Sequence, residues 1–295
     1  MIKNKNIGIF NTMSFTTRTT SVYGTDMFMF PLINHLSKNN KIHFYGHRVL
    51  GYRKNIFCNL LNLEPYILDV TFDLETSNNM DRFNNLDCLL MYNRPKEAED
   101  EYQLQNFLIE KAVKKNIPVL FWLGDLWLPP ENLSKDITLL RPFSSKVFDS
   151  NFKNAFEFNY FTHPCTLPVK EKVIDYLYVG NQYNRWEEFK AIFEKLDGNV
   201  VVAGNWLKNK NKWDNSLQLK NVLYIGEIPH SMALPLYNIS KQTFYIIPPQ
   251  YQQVGMLTSR LYEAQMGNCK VLNTSFKNLN TLDNAVQKLE EILNV

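Results

Sequence analysis

The sequence predicts an α/β protein made of two doubly wound domains, each built on a parallel sheet. Continuous apolar segments of strand length alternate with amphipathic helical segments, as in sheets that helices cover on both faces. This alternation is interrupted by an irregular, proline-containing stretch around residues 158–168 and then resumes. The length of 295 residues is sufficient for two domains that each bury a core.

The first domain is predicted over residues 1–166. Its first strand leads into a hydroxyl-rich loop at 14–21, and its first helix contains Pro31, which is tolerated near a helix start and otherwise kinks the helix. In chain order the predicted elements are strand 6–10, helix 26–38, strand 41–45, strand 86–92, helix 101–115 and strand 117–122.

The second domain is predicted over residues 167–295 and repeats the pattern. Open α/β sheets bind ligands at the carboxyl ends of their strands, so we expect a ligand cleft between the two domains, lined by the turns that follow the strands. The predicted elements are strand 173–179, helix 186–196, strand 199–203, strand 222–225, helix 231–237, strand 243–247, helix 258–266, strand 270–272 and helix 282–293.

Composition narrows the class of protein. An apolar content of 45% and a charged content of 21% are typical of a soluble globular protein, and no apolar run reaches the roughly 18 residues of a membrane span. Residues 1–6 lead into a strand without the apolar region of a signal peptide, which predicts a cytoplasmic protein. The four cysteines have no metal-ligand spacing, so buried, reduced thiols are expected.

A net charge of +3 is too small to indicate a nucleic-acid partner by itself. Six basic residues of the first hundred positions nevertheless lie among tyrosines and asparagines. They could form a groove that follows phosphates or an ordinary solvated face, and the sequence leaves both interpretations open. These residues are Arg48, Arg53, Lys54, Arg82, Arg94 and Lys96.

Turns of the second domain are candidates for phosphate and base contacts. Gly180 follows the first strand of this domain, and backbone N–H groups at the next helix start, with Arg185, could bind phosphate oxygens. Gly204 and Asn205 follow the strand predicted at 199–203. Ile228 follows the strand predicted at 222–225, and a flat base could rest against it. Each turn is also compatible with an ordinary strand-to-helix connection. The first strand of the chain is not followed by G-x-G-x-x-G, so a dinucleotide site has no support.

The helix predicted before the last strand carries an arginine and a glutamate on one face. Arg260 and Glu263 are one turn apart, and Gly267 ends the helix. An arginine can hold a diphosphate while a carboxylate accepts hydrogen bonds from ribose hydroxyls. Taken alone, the pattern is more often a weak surface ion pair. His230 is interpreted as a helix-cap residue, with a contact to the nucleotide as the alternative.

Asp125 ends a buried strand of the first domain, among apolar and aromatic residues. A carboxylate at a strand end in such surroundings is a candidate general base. The alternative is a turn or helix N-cap aspartate. The sequence has no Ser-His-Asp ordering, no zinc-ligand spacing and no D-x-D motif, so it predicts no metal site.

These features occur in one order along the chain, and together they resemble the family of T-even phage DNA β-glucosyltransferases, which are two-domain GT-B enzymes. The resemblance covers nearly the whole chain and is strongest from residue 176 to 272. The segments 226–229 and 260–263 match most closely, and in the first domain the turn 124–129 and the linker segment 159–161 are similar.

The resemblance implies inverting transfer of a sugar from a UDP-sugar to 5-hydroxymethylcytosine in double-stranded DNA. It implies that Asp125 is the general base and that Arg260 and Glu263 contact the diphosphate and the ribose. Ile228 then corresponds to the uracil-facing position, and Arg185 to one of two phosphate-binding arginines. A divalent metal is compatible with this chemistry but is not indicated by the sequence. We expect a monomer in the cytoplasm of an infected host cell, without a membrane partner.

Departures from the family pattern modify these expectations. Asp26 is placed as the substitute for a catalytic-site glutamate that the family carries before its first helix. The loop 248–254 differs from the family's acidic, asparagine-bearing loop near the sugar, so the donor sugar is either glucose or a pentose such as arabinose. The chain also looks too short for the last helix that, in the family, crosses back to the first domain.

Two other functions stay open. One is a GT-B transferase with a cell-envelope or small-molecule acceptor, which needs no basic groove; a steep loss of DNA affinity with salt would argue against it. The other is a catalytically silent nucleotide- or DNA-binding protein of the same fold. Intact UDP binding without hydrolysis or transfer would favour the latter.

Overall fold

The computed structural model divides the chain into two compact units. Unit 1 comprises Met1–His163, Ile247–Thr258 and Asn280–Val295, and unit 2 comprises Pro164–Ile246 and Ser259–Leu279. The residues that the structure describes are 2–10, 26–45, 69–70, 82–93, 99–126, 136–143, 152, 154–165, 167–168, 170–182, 185–206, 219–273 and 279–293.

Strands and helices follow one another through both units, with several strands in succession in unit 1. The strands are β1 (Asn6–Phe10), β2 (Lys41–Tyr45), β3 (Asp69–Val70), β4 (Cys88–Tyr92), β5 (Val119–Trp122), β6 (Thr138–Arg141), β7 (Asn154–Glu157), β8 (Ile174–Val179), β9 (Val200–Ala203), β10 (Val222–Gly226), β11 (Ser240–Phe244) and β12 (Lys270–Leu272). The helices are α1 (Asp26–Ser37), α2 (Glu99–Lys114), α3 (Trp186–Phe193), α4 (Ala233–Asn238), α5 (Pro249–Gln253), α6 (Ser259–Met266) and α7 (Leu282–Leu293).

Unit 1 is built on a parallel sheet with strand order β3-β2-β1-β4-β5-β6-β7. Strands β4 and β5 are buried along their whole lengths, as expected for strands that helices cover on both faces. Leu108 and Ile109 of α2 belong to the core cluster on one face, together with Phe121. The next side chain along β5, Trp122, points to the other face, where it packs in an aromatic cluster with Phe161.

Two late segments of the chain, α5 and α7, belong to unit 1. Helix α7 packs against α1, and the backbone N–H of Ile2 donates to Glu290 Oε1 at 3.0 Å. The expectation that the chain lacks a helix crossing back to the first domain is therefore wrong. The predicted boundary at 166/167 likewise assigns these two segments to the other unit. The periodicity of α7 reveals its apolar stripe but not the unit to which the helix belongs. Its buried residues are Ala285, Val286, Leu289 and Ile292.

Unit 2 is built on a second parallel sheet, with strand order β10-β9-β8-β11-β12. Phe189 and Phe193 of α3 pack in the cluster on one face, and Tyr237 of α4 and Ala264 of α6 pack in the cluster on the other. The strand order reverses between β8 and β11. Such a switch point, at the carboxyl ends of the strands, is where open α/β sheets bind their ligands.

Most of the predicted strands and helices are confirmed to within a few residues. The strand predicted at 243–247 is instead β11, because the buried apolar residues Ile246 and Ile247 follow the strand rather than form it. Strands β3, β6 and β7 and helix α5 were not predicted; β7, for example, lacks a continuous apolar run and its ends are exposed. None of the described helices is long and apolar enough to cross a membrane.

Two of the cysteines are buried, as predicted. Burial raises the pKa of the Cys88 thiol to about 12, with a smaller contribution from Asp87, and it raises the pKa of Cys269 to about 12 as well. Cys165 is only partly buried, yet desolvation also raises its pKa to about 12. Cys58 lies outside the described residues.

Candidate active site

The turns that follow β8, β9 and β10 lie side by side at one edge of the unit 2 sheet. The N–H of Gly180 donates to Ala203 O at 2.8 Å, and the N–H of Gly204 donates to Gly226 O at 2.8 Å. Side chains reinforce this row, since Trp206 Nε1 donates to Gly180 O at 3.0 Å. The predicted turns are thus brought together by hydrogen bonds along the strand ends.

Glycine is required at two positions of this row. Gly180 has φ +149° and Gly204 has φ +137°, a region of backbone conformation that L-residues rarely adopt. A Cβ added at Gly204 would lie 2.2 Å from Gly180 O, and one at Gly180 would lie 2.5 Å from Arg260 Cζ. The absence of side chains therefore lets one turn approach the next and lets a guanidinium lie directly on the backbone.

Arg260, in the first turn of α6, supplies that guanidinium. Its Nη1 donates to Tyr178 Oη at 2.9 Å, and its Cζ lies 5.5 Å from the centre of the Tyr178 ring. Together with the contact at Gly180, this interaction holds a cation at the carboxyl end of β8, beside the switch point. A guanidinium in this place is suited to a diphosphate, because its planar donors can bind two oxygens at once.

Glu263, one turn further along α6, is a carboxylate with only 1% of its surface exposed. No well-aligned hydrogen bond reaches its oxygens from the described part of the chain, and His230 Nε2 lies 3.3 Å from Oε1. Burial opposes ionisation, but the charge of His230, short polar contacts with His230 and Ser259, and the charge of Arg260 together lower the pKa of Glu263 below its usual value. The result is a buried anion with acceptor capacity left for a ligand.

Arg185 lies at the start of α3, as predicted, but it is buried. Its Nη1 donates to Ile246 O at 2.9 Å and its Nη2 to Asn181 O at 3.2 Å, while the guanidinium lies over the Phe189 ring. These bonds connect the chain after β8 to the chain after β11. The geometry gives Arg185 a role in holding the switch point together, and its contact with phosphate stays a prediction.

Asn205 and Ile228 complete the predicted set in unit 2. The N–H of Asn205 donates to Asn181 Oδ1 at 2.7 Å, which fixes the turn after β9 to the turn after β8. Ile228 is half-buried and lies just beyond β10, immediately before Pro229. The structure places both residues in the row of turns that carries Gly180 and Gly204.

In unit 1, Asp125 lies in the turn after β5, and this turn is held from two sides. The N–H of Gly124 donates to Asn93 Oδ1 at 3.1 Å, and Tyr160 Oη donates to Gly124 O at 2.6 Å. Tyr92 Oη is 3.2 Å from Tyr160 Oη and acts as the donor there, because the Tyr160 proton is already used. Buried tyrosines thus fix the backbone that presents Asp125.

The Asp125 carboxylate is itself half-buried, and its two oxygens accept different numbers of hydrogen bonds. Its Oδ1 accepts a hydrogen bond from the Leu126 N–H at 2.7 Å and another from the Tyr251 hydroxyl. Among the described residues nothing donates to Oδ2. Asp26, the second predicted catalytic carboxylate, is the first residue of α1, and its side chain lies outside the described part.

The predicted basic groove is largely outside the described residues. Arg82 is described and exposed. No group of three or more His, Cys, Asp or Glu side chains within the described ranges could hold a metal ion. The basic residues outside the described ranges are Arg48, Arg53, Lys54, Arg94 and Lys96.

Sequence reasoning missed the partners of its candidate residues. The sequence does not predict the contact between His230 and Glu263. It also does not predict the hydrogen bond from Arg260 to Tyr178. Tyr251 was considered only as part of a loop near the sugar, whereas its hydroxyl contacts Asp125. Each pair is separated by many residues in the chain, so no local spacing could reveal it.

Two doubly wound parallel sheets that share the same strand order are the architecture of the GT-B fold. Solved structures share it: phage T4 β-glucosyltransferase (BGT) in complex with UDP-glucose is 15% identical, with a TM-score of 0.56, and the match covers 98% of this chain and 90% of that one. The same enzyme with UDP and Mn²⁺ is 14% identical, with a TM-score of 0.55 and coverage of 98% and 90%.

A further structure, described as the DNA modifying enzyme β-glucosyltransferase, is 15% identical, with a TM-score of 0.51 and coverage of 98% and 88%. No protein-family model and no curated protein matches the sequence.

Proposed function

We propose that the protein is an inverting glycosyltransferase that moves a sugar from a UDP-sugar to 5-hydroxymethylcytosine in double-stranded DNA. The observation that carries the proposal is the pairing, on one face of α6, of Arg260 against the Gly180 turn with the buried anionic Glu263. Burying an ionised carboxylate is costly unless it is used, and ribose hydroxyls are the natural donors to it.

In this proposal the donor is bound at the carboxyl end of the unit 2 sheet. Arg260 binds the diphosphate, Glu263 accepts hydrogen bonds from the ribose, and Ile228 lies against the uracil ring. Gly204 and Asn205 hold the turn after β9 close to the turn after β8, so that the backbone can approach the ligand. Support comes from the GT-B neighbours, which were solved with UDP-glucose and with UDP and Mn²⁺. Because the second of these neighbours was solved with Mn²⁺, the proposal allows a divalent metal at the donor site.

Asp125 is proposed as the base. It takes the proton of the acceptor hydroxyl while the hydroxyl oxygen bonds to the anomeric carbon of the sugar. The bond from that carbon to the diphosphate breaks on the opposite face, and its electron pair leaves with UDP. Arg260 stabilises the charge that develops there, an electrostatic contribution that is often the largest in such reactions. A base positioned in this way contributes about 10²–10⁴-fold.

The acceptor proposal draws on the neighbour described as a DNA modifying enzyme. A cytosine inside a duplex must leave the stack to be glycosylated, at a cost of a few kcal/mol. Asp26 is proposed as a second catalytic carboxylate. The proposal also includes a monomeric enzyme working in the cytoplasm of an infected host cell.

Mass spectrometry of nucleosides tests this function. Duplex DNA containing 5-hydroxymethylcytosine is incubated with the protein and, separately, UDP-glucose, UDP-arabinose and other UDP-sugars, and unmodified cytosine DNA serves as the control acceptor. The expected result is a hexosyl or pentosyl mass added to hydroxymethylcytosine alone. Binding of UDP with neither added mass nor hydrolysis of the UDP-sugar would overturn the proposed transferase. Hydrolysis of the UDP-sugar without DNA modification would overturn the proposed acceptor.

A further inference from the structure

The segment Ile247–Thr258 comes after strand β11 of unit 2 along the chain, but it belongs to unit 1. Met256, 2% exposed, is part of the unit 1 core, and Val254 packs against the same cluster. The N–H of Met256 donates to Tyr251 O at 2.9 Å, and Gln252 Nε2 donates to Ile247 O at 3.2 Å. The backbone of Tyr251 is therefore fixed by packing and hydrogen bonds on both sides of α5.

The Tyr251 ring packs partly buried against the same core, and its hydroxyl donates to Asp125 Oδ1. The Leu126 N–H donates to this same oxygen at 2.7 Å. Two donors on one oxygen restrict rotation of the carboxylate about its Cβ–Cγ bond. Within the described residues Oδ2 receives no donor, so the two oxygens are chemically unequal.

Tyr251 and Tyr160 act on different parts of the same turn. Tyr160 holds the main chain, through Gly124 O, whereas Tyr251 holds the carboxylate that the turn presents. The Tyr160 contact does not depend on which side chain is at position 125. The Tyr251 contact requires a side chain there that can accept a hydrogen bond. The Tyr251 hydroxyl therefore acts directly on the candidate base rather than on the backbone that carries it.

From this geometry we propose that Tyr251 is a positioning residue for the Asp125 base. This inference rests on the proposed transferase function. The Tyr251 hydroxyl fixes Oδ1, so that Oδ2 faces the acceptor and receives its proton as the new bond to the sugar forms. Tyr251 itself gains and loses no proton in the reaction.

The test compares Tyr251→Phe with the wild type. Phenylalanine keeps the ring that packs on the core and removes only the hydroxyl, so the thermal unfolding midpoint should stay close to that of the wild type. Losing a hydrogen bond to a charged group is expected to lower kcat about 10- to 100-fold. KM for the UDP-sugar should change less than about twofold, because the donor site is untouched. Tyr102→Phe, a half-buried tyrosine of α2 in the same unit, is the matched control and should leave kcat unchanged.

Hydrolysis of the UDP-sugar without any acceptor provides a second readout. Water then takes the place of the acceptor hydroxyl, so the rate depends on the base but not on the identity of the acceptor. We expect Tyr251→Phe to lower hydrolysis and transfer by the same factor, and Asp125→Asn to lower both further.

The outcomes separate the inference from the function on which it rests. Wild-type rates in Tyr251→Phe, with Asp125→Asn inactive, would overturn the role of Tyr251 and leave the transferase intact. A faster Tyr251→Phe would show that the hydroxyl blocks the base, and a raised KM with unchanged kcat would show a binding role; both overturn the inference. A wild-type protein without transfer or hydrolysis overturns the proposed function itself.

Discussion

The two candidate sites of this protein are built in opposite ways. In unit 2 the ionised group is buried: Glu263 is 1% exposed and Arg260 lies on a glycine backbone. In unit 1 the carboxylate of Asp125 is half-exposed, and burial is confined to what holds it, such as Tyr160 at 4% exposure. One site buries its carboxylate, whereas the other buries only the residues that hold its carboxylate in place.

The difference follows from what each site is proposed to do. A binding site gains from charges that are desolvated before the ligand arrives, because their orientation then costs nothing on binding. A base has to exchange its proton with solvent after every turnover, so it needs an accessible oxygen.

The largest effect is expected for Asp125→Asn. The amide keeps the shape of the side chain but cannot accept the acceptor's proton, so kcat should fall at least about 10²–10⁴-fold. Steady-state transfer assays measure this loss, and calorimetric titration with UDP should give an unchanged Kd. Asp136→Asn, an exposed aspartate of the same unit, is the control. Retained turnover in Asp125→Asn would remove the base assignment.

Glu263→Gln should weaken the donor rather than the chemical step. A neutral amide accepts a weaker hydrogen bond from ribose, so the Kd for UDP is expected to rise about 10- to 100-fold. Titration with UDP and with 2′-deoxy-UDP makes the test sharper, because the variant should lose most of the wild-type preference for the ribose form. The exposed Glu171→Gln is the matched control. Equal loss of affinity for both nucleotides would argue against a ribose contact.

Gly204→Ala should destabilise unit 2 more than Gly226→Ala. Both glycines have positive φ, but an added Cβ at Gly204 meets Gly180 O at 2.2 Å, whereas at Gly226 it meets no described residue within 4 Å. Backbone strain alone costs about 1–3 kcal/mol, and the clash at Gly204 adds to it. Urea unfolding of the two variants measures the difference. Equal losses would mean that the close approach of the two turns is unimportant.

The smallest effect concerns the pH dependence of stability. Because the pKa of Glu263 is lowered in the folded protein, its ionised form stabilises the fold at pH values above the ordinary glutamate pKa of about 4.3. This contribution is lost as the pH falls through the lowered value. The unfolding free energies of wild type and Glu263→Gln should therefore converge in acid. A difference that is constant from neutral to acid pH would contradict the shift.

The regular elements around these sites were accessible from sequence because buried parallel strands leave continuous apolar runs. Strands β4 and β5 are of this kind. The edge strands of unit 1 could not be predicted from the sequence. Strand β7 shows no clear alternation of apolar and polar residues, and β3, with two residues, is too short to show any pattern. The strand predicted at 243–247 was displaced because apolar residues continue past the end of β11 into the core.

The candidate residues of the site were predictable in kind, and their partners were not. A glycine after a strand, or an arginine and a glutamate one helical turn apart, is visible in a line of sequence. The ion pair of Glu263 with His230 and the bond of Tyr251 with Asp125 join distant positions, and only the fold brings them together. The burial of Arg185 was hidden for the same reason, since its partner Ile246 lies in another element.

The assignment of α7 to unit 1 has a consequence for how the protein is made. Because α1 packs against a helix at residues Leu282–Leu293, unit 1 cannot be completed on the ribosome until that helix has emerged. Every residue of unit 2, which ends at Leu279, is synthesised before then. The unit that starts second along the chain is therefore the first that can finish folding, and the usual order of domain-by-domain folding from the N-terminus is reversed.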